Sequence, residues 1–306
     1  MAGNNSVIGG QRPISDKVIV VQVLVLLFFC INSLLITTVF MKELFYTTMR
    51  YILFASTLLA DCLFLFMSNL VLILNYFKFP IQVWSCFIFY SVLSLCILFT
   101  PFALTAMTLE RYVAICMPLQ HGELCSIRNT LQSILIIHVL SSFPCIVVVS
   151  TFCASASLSI FTQKRVCNVE MFVLHSWHSH LRSAINQIYF LIMCVPIFFS
   201  YFKIMQVAKA ASGENKKSTW KGLRTVMLHA FQLLLCLIQL WCPMIEAAVL
   251  QHNFTIFTTV RYFDYITFIL TPRCLSPLIY GLRDETFFHA LKCNVFCGLF
   301  KKSPVI

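Results

Sequence analysis

The chain has 306 residues, of which 59% are hydrophobic and only 11% are charged. A soluble domain usually carries about 25% charged residues, so this composition excludes an ordinary water-facing surface and makes membrane lipid the expected partner. The net charge of +11 would favour nucleic acid in a soluble protein. Here most basic residues lie in loops between apolar segments, and we expect no nucleic acid to bind.

Seven apolar segments follow one another along the chain, and each is long enough to cross a membrane as a helix, which takes about 20 residues. The first is too long for the apolar part of a signal peptide and has no small-residue cleavage site after it. We therefore interpret it as a membrane helix that is retained. The predicted helices cover residues 18–40, 51–76, 85–109, 133–153, 185–207, 223–250 and 260–280.

The distribution of Lys and Arg predicts the orientation of the chain, because cytoplasmic loops are enriched in these residues. With residues 1–17 as an extracellular tail, twice as many Lys and Arg residues fall on the cytoplasmic side as outside. Residues 281–306 then form a cytoplasmic amphipathic helix and tail. The sequence thus predicts an all-α membrane protein, a seven-transmembrane helix bundle with the N-terminus outside. Two glycosylation sequons, at Asn4 and Asn253, would also lie outside.

Two cysteines differ from the many that lie inside the predicted helices as small apolar side chains. Cys86 opens the third helix at its outer end, and Cys167 lies in the long linker between helices four and five. Since the cell exterior is oxidising, we expect a disulfide between them, although spacing alone does not identify partners. Cys293 and Cys297 follow the seventh helix, where palmitoylation and simple packing at the membrane surface are equally open.

The outer linker between helices four and five also carries His175, His178 and His180. Their spacing matches no recognised metal-binding template, so we interpret them as part of a solvated stretch at the membrane interface. We expect neither a metal nor a cofactor.

Asp61, Glu246 and Arg273 are ionisable residues inside the predicted helices, where a charge needs a reason to be there. Asp61 lies half-way along helix two and Arg273 lies in helix seven, so we predict that they form an ion pair. The alternative is a protonated or hydrated Asp61 with Arg273 reaching elsewhere. Glu246, near the outer end of helix six, could meet a cationic ligand group or could stay hydrated at the interface.

Five features of the chain, in order, resemble odorant receptors within the rhodopsin-like G-protein-coupled receptors. They are Asn32 in helix one, LLAD at 58–61, MTLERYVAICMPL at 107–119, KGLRTVMLH at 221–229 and SPLIYGLRDETF at 276–287. The resemblance covers nearly the whole chain and is greatest to fish odorant receptors. It implies a plasma-membrane receptor of olfactory neurons that binds a small-molecule odorant and activates a heterotrimeric G protein.

The resemblance implies a switch at the inner ends of the helices, where Arg111 is held by Glu110 at rest and turns to the G protein when released. A freed Arg side chain can donate several hydrogen bonds to a partner. The remaining residues of this expected switch are Tyr112, Tyr201, Lys221, Arg224 and Tyr280. For the two basic residues of helix six, a role in membrane topology alone is equally open.

The sequence departs from the family pattern in several places, among them His138, where helix four commonly has Trp. Glu110 stands where Asp is more usual, which preserves the charge, and Ser276 stands where Asn or Asp usually precedes the helix-seven proline. Trp241 resembles the tryptophan of the Trp-x-Pro kink in helix six, but it lies about a turn too far from His229. The register of helix six is therefore left open.

Helical facing and the resemblance together predict a ligand pocket between helices three, five, six and seven. Such pockets are mostly apolar with a few polar groups. The candidate residues are Leu93, Ser94, Ile97, Leu98, Gln187, Trp241, Met244, Ile266 and Ile269. For each of them, ordinary packing between helices is equally open.

Other classes of function fit less well. The sequence contains no zinc-ligand run, nucleophile motif or phosphate-binding Gly loop, and it has only 8 Gly, so we do not expect an enzyme. A membrane transporter or a ligand-gated channel of seven helices is the alternative. Transporters often contain repeated halves, and we find no internal repeat.

Overall fold

The computed structural model describes residues 16–211, 216–281 and 285–299 of the chain. These residues form seven helical spans joined by short loops. Spans 1 to 5 are the single helices Asp16–Phe40, Met49–Tyr76, Val83–Cys116, Ile127–Ser155 and Ser176–Ala211. Most of them continue beyond the apolar segment predicted from the sequence, because the flanking polar residues go on forming the backbone hydrogen bonds of the helix.

Span 6 consists of two helices, Lys216–Ile238 and Cys242–Leu250, where the sequence predicted a single helix. The physical cause is Pro243, which lies in the first turn of the second helix and has no backbone N–H to continue the first one. The backbone N–H of Trp241 donates to the carbonyl of Ile238 at 2.9 Å, which closes the tight turn between the two helices. Helical facing therefore does not carry through from one half of span 6 to the other.

Span 7 consists of the helix Phe254–Asp264, a π-helical turn at Tyr265–Leu270 and the helix Thr271–Gly281. A π turn holds one residue more than an α turn, so it rotates the following side chains by about 100°. Its two α-helical pieces have 11 residues each. Among the described residues, six helical stretches, one in each of spans 1 to 6, are long and apolar enough to cross a membrane.

The connecting segments contain short elements at both ends of the bundle, which we call the Cys86 end and the Arg111 end after two residues of span 3. At the Cys86 end, strands Pro80–Gln82 and Lys164–Val166 pair antiparallel. The other elements are helices Glu43–Thr47, His121–Leu124, Leu158–Phe161 and Glu285–Leu299, and 3-10 turns Pro118–Gln120 and Val169–Phe172.

Span 3 lies in the middle of the bundle and packs against spans 2, 4, 5 and 6. The outward faces of the spans instead carry large apolar side chains that are more than half exposed, such as Leu26, Leu135, Val195 and Phe198. Apolar faces of this extent are stable only against an apolar solvent. The predicted all-α bundle of seven helices is confirmed.

The helix Glu285–Leu299 packs across the Arg111 end of spans 1 and 2. Its Phe287 is fully buried, and the centroid of its ring lies 5.3 Å from the ring of Phe45 and 5.8 Å from that of Phe54. Asn294 donates from its side-chain amide to the hydroxyl of Thr38 at 2.9 Å. These contacts hold the last helix against the bundle.

Candidate functional site

A disulfide joins Cys86, at the start of span 3, to Cys167 in the loop between spans 4 and 5, with 5.5 Å between their Cα atoms. This is the predicted pair. Asn75 donates a hydrogen bond from its side-chain amide to the carbonyl of Cys167 at 2.7 Å, so the loop is tied to span 2 as well. An aromatic cluster packs beneath the loop and consists of Phe87, Phe152, Phe161 and Phe172. The loop therefore covers this end of the bundle.

The structure brings some of the predicted ligand-binding residues together. The side-chain amide of Gln187 lies 3.5 Å from the sulfur of Met244, which links spans 5 and 6, and the ring of Trp241 packs edge-on against Phe190 of span 5. In span 3, Leu98 is buried, and the partly buried residues of the same stretch are Leu93, Ser94 and Ile97.

Ile266 and Ile269 of span 7 lie in the π-helical turn. Ile266 packs against an apolar cluster of spans 1, 2 and 7 that includes Val21 and Leu65. The structure therefore does not place Ile266 with Gln187 on span 5. The facing that the sequence predicted assumed a regular α-helix, and the π turn changes that facing. Ile269 is partly buried, and its carbonyl oxygen accepts a hydrogen bond from Arg273.

Spans 6 and 7 also carry a group of ionisable side chains near the Cys86 end. Nε of Arg261 lies 2.9 Å from Oε2 of Glu246, and the guanidinium stacks over the ring of Phe257 at 4.5 Å. Asp264 and Cys242 lie next to this pair, one on each span. The sequence suggested a role for Glu246 but missed Asp264, although a carboxylate within a predicted helix is the same signal that revealed Asp61.

The centre of the bundle contains a buried ion pair between spans 2 and 7. Nε of Arg273 lies 3.2 Å from Oδ1 of Asp61, and both side chains are shielded from solvent. The hydroxyl of Thr100 in span 3 donates to the same oxygen at 2.9 Å. The guanidinium also lies 3.9 Å from the ring centroid of Phe64. Three spans are thus linked through a single carboxylate.

Gln232 of span 6 extends this polar centre, and sequence reasoning missed it. Its side-chain amide donates to the carbonyl of Pro272 at 2.9 Å and to the hydroxyl of Ser276. A lone amide in an apolar run is a recognisable signal, because a buried polar group needs a partner. Asn32 of span 1 is fully buried too, and its side-chain amide forms no hydrogen bond with any residue that the structure describes.

At the Arg111 end, Glu110 is buried and Oε1 lies 3.2 Å from Nε2 of His121, in the segment between spans 3 and 4. Burial, together with the nearby charge of Glu110, raises the pKa of the Cys125 thiol in the same segment. No sequence pattern pointed to His121. The expected contact between Glu110 and Arg111 stays a prediction. In the structure, the carboxylate of Glu110 contacts His121.

A second contact at this end joins spans 3 and 6. The hydroxyl of Thr108 lies 3.2 Å from Nε2 of His229, and both side chains are buried. Thr108 donates its hydroxyl proton to the carbonyl of Leu104 at 2.9 Å, so the imidazole N–H is the donor to Thr108. The contact fastens the half of span 6 nearer the Arg111 end to span 3.

The remaining switch residues are distributed around the same end. The ring of Tyr112 packs at 5.5 Å from that of Phe199, and Tyr201 is partly buried at the edge of the main core. Five predicted residues are not covered by the described structure. The structure does not describe the side chains of Lys221, Arg224, Tyr280 and Cys297, and Asn4 lies outside the described residues altogether.

The histidines at the start of span 5 pack locally. His178 is buried and Nε2 lies 3.3 Å from the hydroxyl of Ser155, while its ring packs against that of Trp177. Within the described ranges, no group of three or more His, Cys, Asp and Glu side chains is placed to hold a metal ion.

The geometry above agrees with the comparison to known proteins. Residues 31–280, from the middle of span 1 to the end of span 7, match the family model of the 7 transmembrane receptor (rhodopsin family). The chain belongs to the rhodopsin family of seven-transmembrane receptors. This receptor is also 40% identical to Odorant receptor 131-2 of Danio rerio over 301 residues. The aligned region covers 97% of this chain and 92% of that protein.

The match defines the class of the molecule. The receptor is a multi-pass membrane protein and not an enzyme. The matched residues include the buried pair in spans 2 and 7 and the segment around Arg111, so the candidate sites lie within the part that is shared with the family.

Proposed function

We propose that this receptor binds small-molecule odorants at its extracellular side and activates a heterotrimeric G protein at its cytoplasmic side, in the plasma membrane of olfactory neurons. The observation that carries the proposal is the 40% identity to an odorant receptor along 97% of the chain. An identity this extended includes all seven spans and therefore both the outer and the inner ends of the bundle.

The Cys86 end is the extracellular end in this proposal. Two features support it: disulfides persist in oxidising surroundings, and the Arg111 side of the membrane carries the greater share of Lys and Arg. Epitope tags at the two termini test the orientation. In intact cells we expect antibody to label the N-terminal tag alone, and the C-terminal tag only after permeabilisation. Labelling of both tags in intact cells would refute the orientation.

Contacts at the inner ends of the spans stabilise the resting state of the receptor. The contact of Thr108 with His229 holds the inner half of span 6 against span 3, and Glu110 is held by His121. A ligand changes the population of two states only by its difference in affinity for them. A ligand that favours separation of spans 3 and 6 would break the Thr108–His229 contact and open a groove for a helix of the G protein.

The break in span 6 provides a way to couple the two ends. The turn at residues 239–241 separates the outer helix Cys242–Leu250, which bears Met244, from the inner helix that bears His229. A change of contact at Met244 can thus alter the angle of the inner helix, because the missing hydrogen bonds at a proline make that position the easiest to bend.

The test is a ligand screen in cells that express the full chain, with G-protein activation as the readout and fractionated small metabolites as the probes. We expect ligand-evoked activation in the unmodified receptor and none in Arg111→Ala at equal surface expression. Arg128→Ala, an exposed basic residue on the same side, is the matched control and should signal normally.

Two outcomes would contradict the proposal. Full signalling by Arg111→Ala would remove Arg111 from the switch. A ligand-evoked current or substrate uptake in cells that lack G proteins would instead support the alternative of a channel or a transporter.

A further inference from the structure

The outer halves of spans 6 and 7 place four chemically active side chains in one corner, which we call the 6–7 corner: Cys242, Glu246, Arg261 and Asp264. Cys242 and Glu246 are four residues apart, and Arg261 and Asp264 are three apart, so each pair lies on one face of its helix. The helices Cys242–Leu250 and Phe254–Asp264 pack directly against one another. The two faces therefore meet.

The charges of the 6–7 corner do not balance. Arg261 lies 2.9 Å from Glu246 through its Nε, with its guanidinium stacked over Phe257. Asp264 forms no ion pair with any residue in the described ranges 16–211, 216–281 and 285–299. Two carboxylates thus accompany one guanidinium, and with both of them ionised the corner carries one negative charge in excess.

Asp264 is also nearly removed from water. Its side chain is only 5% exposed, and its Oδ2 atom is shielded from solvent without a hydrogen-bond donor in the described structure. The thiol of Cys242, a weak donor, lies beside this carboxylate and also has the carbonyl of Ile238 within 3.7 Å, so it does not compensate a full negative charge. An ionised carboxylate in such a place is unfavourable unless a cation or a set of donors compensates it.

Another cation at this end of the bundle, Lys17 of span 1, is engaged on a different face of span 7. Lys17 of span 1 holds its ammonium 5.3 Å from the ring centroid of Tyr262. Tyr262 is two residues before Asp264, and two residues turn a helix by about 200°. Lys17 therefore lies on the far side of span 7, and Arg261 is turned towards Glu246.

We propose that the 6–7 corner binds the ammonium group of a small cationic ligand, with Asp264 as its counter-ion. This inference rests on the proposed function and names the chemical class of its odorant, a primary amine. The ammonium supplies the donors that Oδ2 of Asp264 lacks, and its charge balances the second carboxylate. The ring of the buried Phe257 offers an apolar wall for the carbon chain.

The first test measures binding without signalling. The purified full chain in detergent is melted with hexylamine, hexanol or hexanoic acid, and with phenethylamine, phenethyl alcohol or phenylacetic acid. We expect the amines alone to raise the melting temperature. Since a hydrogen bond to a charged group is worth roughly tenfold or more in affinity, Asp264→Asn should need at least about ten times more amine for the same shift.

Two variants keep this result interpretable. Asp16→Asn neutralises an exposed carboxylate at the first turn of span 1, at the same end of the bundle, and should respond as the unmodified receptor does. Asp264→Glu retains the carboxylate and should recover part of the affinity for amines that Asp264→Asn loses. A loss in Asp264→Asn that Asp264→Glu does not reverse would indicate a packing defect and would overturn the assignment.

The second test measures G-protein activation in cells with the same probes and separates the two proposals. Activation by alcohols or acids with an unchanged half-maximal concentration in Asp264→Asn would overturn the amine site and leave the odorant-receptor function intact. An amine-induced rise in melting temperature without G-protein activation by any probe would support the site and count against the signalling function. No melting shift with either amine would overturn the site.

Discussion

Arg273 and Asp61 lie 212 positions apart in the sequence, yet Nε of the arginine is 3.2 Å from Oδ1 of the carboxylate in the middle of the bundle. The pair is shielded from solvent, and Thr100 and Phe64 complete its surroundings. Because spans 2, 3 and 7 meet there, this contact constrains how these three helices are rotated relative to one another.

Asp61→Asn or Arg273→Gln should destabilise the receptor by about 3–5 kcal/mol, because each leaves an uncompensated charge in the interior. The exchanged variant, Asp61→Arg with Arg273→Asp, should recover surface expression and melting temperature better than either single change. Thr57→Val is the control, since among the described contacts this buried hydroxyl bonds only to the carbonyl of Leu53 in its own helix. If the exchanged variant has no higher surface expression or melting temperature than the single variants, the ion pair does not stabilise the receptor.

Thr108→Val should raise the signalling activity that the receptor shows without ligand, because it removes the contact with His229 between spans 3 and 6. The expected weakening of the resting state is about 1 kcal/mol, or roughly fivefold in the population of the active state. Thr105→Val is a close control, since Thr105 also donates to a carbonyl four residues earlier, that of Pro101, and has no bond to span 6 among the described contacts. Basal nucleotide exchange in membranes measures the difference; an equal rise in both variants would argue against a role of the Thr108–His229 contact in the resting state.

Cys86→Ser and Cys167→Ser should each cost about 2–5 kcal/mol of stability, because the loop over the Cys86 end loses its covalent tie to span 3. The double variant should be no less stable than either single one, since the same bond is removed. Cys153→Ser, at an exposed free cysteine near the same end, should have little effect. Thermal melting with and without a reducing agent tests this, and additive losses in the double variant would contradict it.

Asn253→Ala should weaken the start of span 7 by about 1 kcal/mol, because the side-chain oxygen of Asn253 accepts from the backbone N–H of Thr255 at 2.8 Å and of Ile256 at 3.3 Å. Asn253→Asp keeps an oxygen for the same cap and should retain stability. Both changes remove the predicted glycosylation site. Comparison of melting temperature with the shift in gel mobility after deglycosylation therefore separates the two roles of Asn253.

Much of the fold follows from local properties of the sequence. Length and apolarity predicted seven spans because crossing a membrane requires a long apolar helix whatever its neighbours are. The bounds differ at the ends, as in span 3, which reaches Cys116 where the apolar segment stops at residue 109. The disulfide between Cys86 and Cys167 could also be predicted from the sequence, because the predicted topology places both cysteines on the oxidising side of the membrane.

The candidate sites likewise contain residues that the sequence indicated and residues that only the structure revealed. Rules on single residues indicated Asp61, Arg273 and Glu246, because an ionisable group within a membrane helix is a signal by itself. The partners Thr100, Gln232, His121 and His229 were missed, since contacts between distant segments depend on the depth and rotation of each helix. Ile266 shows the effect directly, because it lies in the π turn and packs towards spans 1 and 2 instead of towards span 5.

The sequence by itself determined that this is a membrane bundle of seven helices, that Asp61, Glu246 and Arg273 lie inside those helices, and to which family its motifs correspond. Only the tertiary structure decided that Arg261 faces Glu246 while Asp264 has no ionic partner in the described part of the chain. The physical reason is that hydrophobicity acts on each segment separately, whereas the balance of buried charges is a property of several helices packed at particular angles.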